Sequence, residues 1–238
     1  MTHVRKHAWV ISLAALLAVL LALTKIIQPG FGASGIESLA RAALPFGFAT
    51  AGMAVVIIAG GIDLSVASMM AVCAVTTAVL MERMAGVPAV IIVLLAGVAM
   101  GAINGLLIVL TKVPDIVVTL AMLFVWEGVA LLILSSPGGA TADWLEGAIR
   151  GSLIFSWLPK AFLIIAMVLA LLWWPLQRTK LGLSIYAIGS DELAAFRSGI
   201  SIGPTKVAAY AICGLFCAFG GLSLAALTGI GEPVPGPY

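Results

Sequence analysis

Ala54-Val55-Val56-Ile57-Ile58-Ala59-Gly60-Gly61-Ile62-Asp63-Leu64-Ser65-Val66-Ala67-Ser68-Met69-Met70-Ala71-Val72 is the stretch that decides how this chain is read. Two apolar runs meet at Gly60-Gly61-Ile62-Asp63 with almost no loop between them. Each run is part of a segment long enough to cross a bilayer as a helix, which takes about 20 residues. A carboxylate at membrane depth costs about 2.5–3.5 kcal/mol on insertion scales, and two adjacent glycines let a helix break. Such breaks persist in a membrane only inside protein or beside a water-filled cavity. One reading of Asp63 is therefore a discontinuous helix on a translocation path. The other is a short cytoplasmic turn in which Asp63 caps the next helix through its free N–H groups.

The composition agrees with a membrane setting. Of 238 residues, 63% are apolar and 9% charged, whereas a soluble domain is about 45–50% apolar and about 25% charged. The mean hydropathy is +1.22. The net charge is only +2 and no basic run occurs, which argues against a nucleic-acid partner. Cys73, Cys213 and Cys217 lie in apolar segments without His or carboxylate neighbours, so they read as small buried side chains and not as metal ligands.

The expected architecture is all-α: a polytopic transmembrane bundle of about seven spans, with one helix broken near Gly60 and Asp63. The spans read as residues 8–27, 39–59, 64–81, 88–111, 116–134, 161–176 and 207–228, bounded by breakers such as Gln28-Pro29-Gly30 and Val113-Pro114-Asp115. The first run follows Arg5 and Lys6 as a signal peptide would. It is nevertheless long enough to span, and no clean small-x-small cleavage site precedes the next segment, so it reads as a retained helix. The basic residues set the orientation. With the N-terminus cytoplasmic, Arg5, Lys6, Lys112, Arg178, Lys180, Arg197 and Lys206 lie inside. Lys25, Arg41, Arg83, Arg150 and Lys160 lie outside. The polar stretch 177–206 is then cytoplasmic and 135–160 external. Lipid is a partner by composition alone.

No catalytic constellation is visible. The histidines are His3 and His7 only, and no glycine loop followed by Lys and Ser or Thr is present to cradle phosphate. The chain therefore reads as a non-enzyme without cofactor or metal. Glu127, beside Trp126 and Gly128, is the other carboxylate within a span, either pairing in the bundle interior or snorkelling at a helix end. Asn104 can hydrogen-bond across helices or to a polar solute. Gly97, Gly101 and Gly105 recur every four residues, as close helix contacts require. In the cytoplasmic stretch, Ser190 or Asp191 can cap a short helix over 192–198 that Gly199 ends. Its Leu193, Ala194 and Phe196 suit a groove on a soluble partner, or the lipid interface.

These features together resemble the permease subunits of bacterial ribose-type importers of the ATP-binding-cassette (ABC) class, a family that also handles other monosaccharides and autoinducer 2. The resemblance rests on Gly60-Gly61-Ile62-Asp63-Leu64-Ser65-Val66, then Asn104-Gly105 and Thr119-Leu120-Ala121-Met122. It continues through Tyr186-Ala187-Ile188-Gly189, Ala194-Ala195 and Gly199-Ile200 to Lys206, Tyr210, Gly214, Gly220 and Gly221. It implies a single permease domain over 1–238, incomplete at its C-terminus, with a coupling loop at 178–206. Implied partners are a cytoplasmic ABC ATPase that binds ATP, a periplasmic or extracellular solute-binding protein, and a second permease copy or homologue. The implied pathway residues are Gly60, Gly61, Asp63, Ser65, Asn104, Thr119 and Glu127. The implied coupling residues are Gly182, Tyr186, Gly189, Ser190, Asp191, Ala194, Ala195 and Gly199. The implied location is the bacterial inner membrane.

The chain departs from that family at three places. Glu127 stands where Arg is common, Asp191 where Asn is usual, and Asp115 where an aromatic residue follows Pro114. Tyr238 falls in mid-pattern, so the resemblance implies further spans beyond it. The rival function is an ion-coupled secondary transporter of a small polar solute, for which Asp63 and Glu127 are few acids and the cytoplasmic loop has no use. An intramembrane enzyme is a third, and lacks a nucleophile and base.

Overall fold

The computed structural model describes residues 2–84, 86–153 and 158–233, with side chains from Ala8 onward. Arg5, Lys6 and the chain end at Tyr238 lie outside what is described of side chains. Ten helices and no strand occur among the described residues: α1 (Thr2–Ile27), α2 (Ala33–Ile58), α3 (Val66–Arg83), α4 (Val87–Thr111), α5 (Asp115–Ile133), α6 (Asp143–Ile149), α7 (Lys160–Arg178), α8 (Lys180–Ser190), α9 (Glu192–Arg197) and α10 (Ile202–Thr228). Seven of these, α1 to α5, α7 and α10, are long and apolar enough to cross a membrane. The expected seven-span all-α bundle is therefore what the chain forms.

α3 and α10 are the centre, with 67% and 61% of their spanning windows buried. α10 packs against α4, α2 and α3. The α4–α10 seam is built from the glycines spaced every four residues. A Cβ at Gly105 would lie 2.8 Å from the Val207 Cα, and one at Gly101 would collide with the Tyr210 carbonyl. Without a hydrophobic drive between helices in lipid, such close approach supplies dispersion contact instead. By contrast, none of the α1 window is buried. Its end is tied by Lys25, whose Nζ donates to the carbonyls of Pro29 and Phe31 at 2.7 and 2.6 Å.

Two elements depart from the expected boundaries. α2 begins at Ala33, not 39, because the polar Ser34 and Glu37 occupy its first turns and stay at the bundle end, where Glu37 accepts from the Gly151 N–H at 2.8 Å. The stretch 177–206 is almost entirely helical: α8, α9 and the first turns of α10 fill it. Thr179 caps α8 by accepting from the Gly182 N–H at 3.2 Å, and a Cβ at Gly182 would collide with the Leu176 carbonyl. Glycine thus permits the tight α7–α8 corner. At the opposite end of the bundle, residues 138–141 fold back on the end of α10. Gly138 and Gly231 exchange backbone hydrogen bonds at 3.1 and 2.8 Å.

Candidate functional site

The break between α2 and α3 is a built feature. The Gly61 N–H donates to the Val56 carbonyl and the Gly60 N–H to the Ile57 carbonyl, both at 2.9 Å. This is a Schellman motif, with Gly60 at φ +83° in the left-handed position that glycine takes without penalty. Gly61 is fixed by space: a Cβ there would sit 2.5 Å from Asp115 Oδ2 and 2.6 Å from the Tyr210 hydroxyl. Asp63 then turns the chain into α3. Its Oδ1 accepts from the Ser65 N–H at 2.9 Å and from the Ser65 hydroxyl at 2.6 Å, the Asx-type turn that short acidic side chains form.

Asp63 therefore makes an Asx-type turn and not the helix cap: the N-cap of α3 is Ser65, without a side-chain cap bond, and the break is a short, buried turn. Asp63, Ser65, Asn104 and Thr119 are each fully buried. Asn104, which touches Ser65, stands two turns before the end of α4, or roughly 10 Å at 1.5 Å per residue. Tyr210, which reaches Ile62, is a similar distance inside the start of α10. The break is therefore walled by α4 and α10 and lies against the first turn of α5 at Asp115 and the last turn of α8 at Gly189.

A directional relay holds it there. Trp126 Nε1 donates to Asn104 Oδ1 at 3.1 Å. Asn104 Nδ2 donates to the Ser65 hydroxyl oxygen at 2.7 Å, and that hydroxyl donates to Asp63. Each donor faces an acceptor, so the bonds polarise one another toward the carboxylate. A second cluster closes the same loop from α5 and α10. The Tyr210 hydroxyl donates to Asp115 Oδ2 and Thr119 Oγ1 to the Asp115 carbonyl, both at 2.8 Å. Both hydroxyls lie 3.3 Å from the Ile62 carbonyl oxygen.

Of the residues expected on a pathway, six meet at this point: Gly60, Gly61, Asp63, Ser65, Asn104 and Thr119. Glu127 does not join them. It is half-buried on α5 and makes no hydrogen bond or ion pair among the described residues. Sequence reasoning passed over its neighbour Trp126, which is the buried donor, and gave Asp115 no partner. A signal for Asp115 was available, since an acid in the first turn of a helix faces the same end of the bundle as the Gly60 break.

Asp63 Oδ2 is buried without a hydrogen-bond partner among the described residues. Asp63 lines a cavity of about 340 Å³ between α2, α3 and α10, with Pro45, Phe46, Ala49, Met53, Met70 and Leu224 around it.

Residues 180–197 form a helical pair, α8 and α9, beside the break. Asp191 is the cap of α9, accepting from the Ala194 N–H at 2.9 Å. Gly199 at φ +83° ends α9 in a second Schellman motif, with Ile200 N–H to the Ala195 carbonyl at 3.1 Å and Gly199 N–H to the Phe196 carbonyl at 2.9 Å. Ala195 faces the bundle and is buried, whereas Leu193 and Phe196 are 58% and 66% exposed. Glu192 joins the pair to α10 through Lys206 at 2.8 Å. α8 reaches the break itself: a Cβ at Gly189 would collide with the Ile58 carbonyl, and Gly60 lies against the Gly189 Cα. Gly182 forms the corner into α8, while Tyr186 is exposed on it and Ser190 closes its last turn by donating to the Tyr186 carbonyl at 2.9 Å.

Against this geometry, a family model described as "Branched-chain amino acid transport system / permease component" matches residues 35–236. The chain is 28% identical over 241 residues to the ribose import permease protein of Escherichia coli K12, covering 96% of this chain and 74% of that protein. It is 30% identical over 240 residues to the autoinducer 2 import system permease proteins of Escherichia coli K12 and Shigella flexneri, covering 94% of this chain and 70% of each. No solved structure matches the chain at a comparable level.

Proposed function

Because the chain belongs to the family of transport-system permease components, we propose that it is the membrane-spanning subunit of an ATP-driven importer, carrying a sugar or sugar-like solute across a bacterial inner membrane. The observation that carries this reading is the join between two parts: an exposed helical pair outside the spans, and a buried polar break inside them that the pair touches at Gly189 and Gly60. An ion-coupled carrier needs no such pair, and the relatives are import permeases. The solute class follows those relatives and not the wording of the family description.

On this reading residues 1–238 act as one permease domain, and 178–206 is its coupling segment. A separate cytoplasmic ATPase of the ABC class binds ATP and receives Leu193 and Phe196 in a groove. Two large apolar side chains held in water on one short, capped helix are suited to such an anchor. A solute-binding protein delivers to the opposite end, near α6. A second permease copy or homologue completes the path. The pathway is lined near Gly60, Gly61, Asp63, Ser65, Asn104 and Thr119, with Glu127 at its margin. The N-terminus is cytoplasmic. The test is a cross-link from Ala194→Cys to the cytoplasmic ABC ATPase proposed as its partner. A specific cross-linked pair is the expected result, and its absence from an assembled complex overturns the coupling role.

A further inference from the structure

α9 packs on two helices, α8 and α10. Toward α5 it faces open space. A cavity of about 460 Å³ separates Glu192 of α9 from residues 112–115, and the first turn of α10, with Ile202, Gly203 and Lys206, forms the wall between them. A displacement of α9 therefore reaches α5 by way of α10 and not directly.

Two side chains on α10 stand at the ends of that route. Lys206 Nζ donates to Glu192 Oε2 at 2.8 Å. Tyr210 follows four residues later, on the same helix face and about 6 Å further along the axis, and is fully buried. Its hydroxyl donates to Asp115 Oδ2 at 2.8 Å and lies 3.3 Å from the Ile62 carbonyl oxygen. α4 clasps the helix between these points: a Cβ at Gly105 would lie 2.8 Å from the Val207 Cα and 3.1 Å from the Tyr210 Cβ. The Lys206 end borders the cavity and has room to move, whereas the Tyr210 end is packed on the break. A tilt about the Gly105 contact thus displaces the Tyr210 hydroxyl, and with it Ile62 and the first turn of α5. The ion pair is open to water, with 22% of the Lys206 and 55% of the Glu192 side chain exposed. Such pairs contribute little to stability, so what this one supplies is a fixed spacing between α9 and α10.

We propose that Lys206 and Tyr210 are positioning residues that carry a displacement of α9 along α10 to the break at Gly60 and Asp63. The proposal rests on the importer reading above, in which an ATPase moves α9, and adds the route by which that movement arrives.

The test is hydrogen–deuterium exchange, read by mass spectrometry, on the full complex of this chain with its ATPase and binding protein in lipid nanodiscs, without nucleotide and with ATP and vanadate. Two segments report: residues 191–199 for α9, and residues 59–66 for the break, whose Gly60, Gly61 and Ser65 amides are hydrogen-bonded. In the unaltered chain both segments should change their exchange with nucleotide. Lys206→Glu sets two acids against each other, and Tyr210→Phe removes the hydroxyl. In each, α9 should still respond, which shows a folded and engaged complex, and the break should lose its response. Glu192→Lys combined with Lys206→Glu rebuilds the pair with its charges exchanged and should restore the response of the break. A break that still responds in either single variant, that never responds in the unaltered chain, or that stays silent in the double variant overturns the proposal. Residues 191–199 blind to nucleotide in the unaltered chain sink the importer reading on which it rests.

Discussion

Trp126 shows what a single side chain contributes in a core where water offers no substitute partner. Its indole N–H is the first donor of the relay, and Asn104 Oδ1 is fully buried at the receiving end. Replacing the indole by a phenyl ring keeps an aromatic side chain but removes the donor and leaves that oxygen unpaired. Trp126→Phe should therefore lower stability by about 1–3 kcal/mol, the cost of an orphaned buried polar group. A lower melting temperature of the solubilised protein checks this, and an unchanged one rejects the relay as a structural support. The residue also shows why part of the site was hard to read in sequence. Glu127 draws the eye because a charge in a span is rare, whereas a tryptophan there is ordinary. Only the fold tells that the neighbour one position back, turned about a quarter of the way round the helix, faces Asn104. Asp115 behaves likewise: an aromatic residue is usual at that place in the resembling family, and here the acid finds the Tyr210 hydroxyl at 2.8 Å.

At the scale of elements, the helices were legible wherever a breaker interrupted an apolar run, and less so where polar residues themselves form helix. Gly60 and Gly199 end α2 and α9 by the same motif, and both glycines were visible as stops. α8 was not foreseen, because Gly182 and Gly189 weaken helix propensity by about 1 kcal/mol each relative to alanine. The fold overrides that loss by using both glycines as contact points, at Leu176 and at Ile58. Asp191, in place of the more usual Asn, makes the same N-cap bond, and the two residues cap about equally well. That departure leaves the geometry of α9 unchanged. The Gly189 contact is the more consequential. It is the place where α8 touches the end of α2 at Ile58, three residues from Gly61 and five from Asp63. A methyl group there must push α8 away from Ile58. Gly189→Ala should reduce uptake by roughly tenfold or more, a change of about 1.4 kcal/mol in the effective barrier, while the chain still inserts and keeps its melting temperature. Uptake at the wild-type rate would show that this contact carries no motion.

For the whole molecule, the class was written in composition and the sidedness only weakly in the basic residues, seven against five. The fold adds an internal constraint. Gly60–Asp63, Lys112–Pro114 and the α8–α9 pair gather at one end, where Lys206 meets Glu192 and Gly189 meets Ile58. Residues 28–32 and 134–153 gather at the other, where Gly151 meets Glu37 and Gly138 meets Gly231. The two groups cannot be exchanged one loop at a time, so a single measurement at each end fixes every span. If the basic bias is decisive, Ser190 lies in the cytoplasm and Ser136 outside. The native cysteines favour the test, since Cys73, Cys213 and Cys217 are all fully buried and free. Both serines are exposed. A membrane-impermeant maleimide should label Ser136→Cys in intact right-side-out vesicles and Ser190→Cys only in inverted ones. The reverse pattern would turn the molecule over: the exposed Leu193 and Phe196 would face away from any cytoplasmic ATPase, and the coupling role would fall with the orientation.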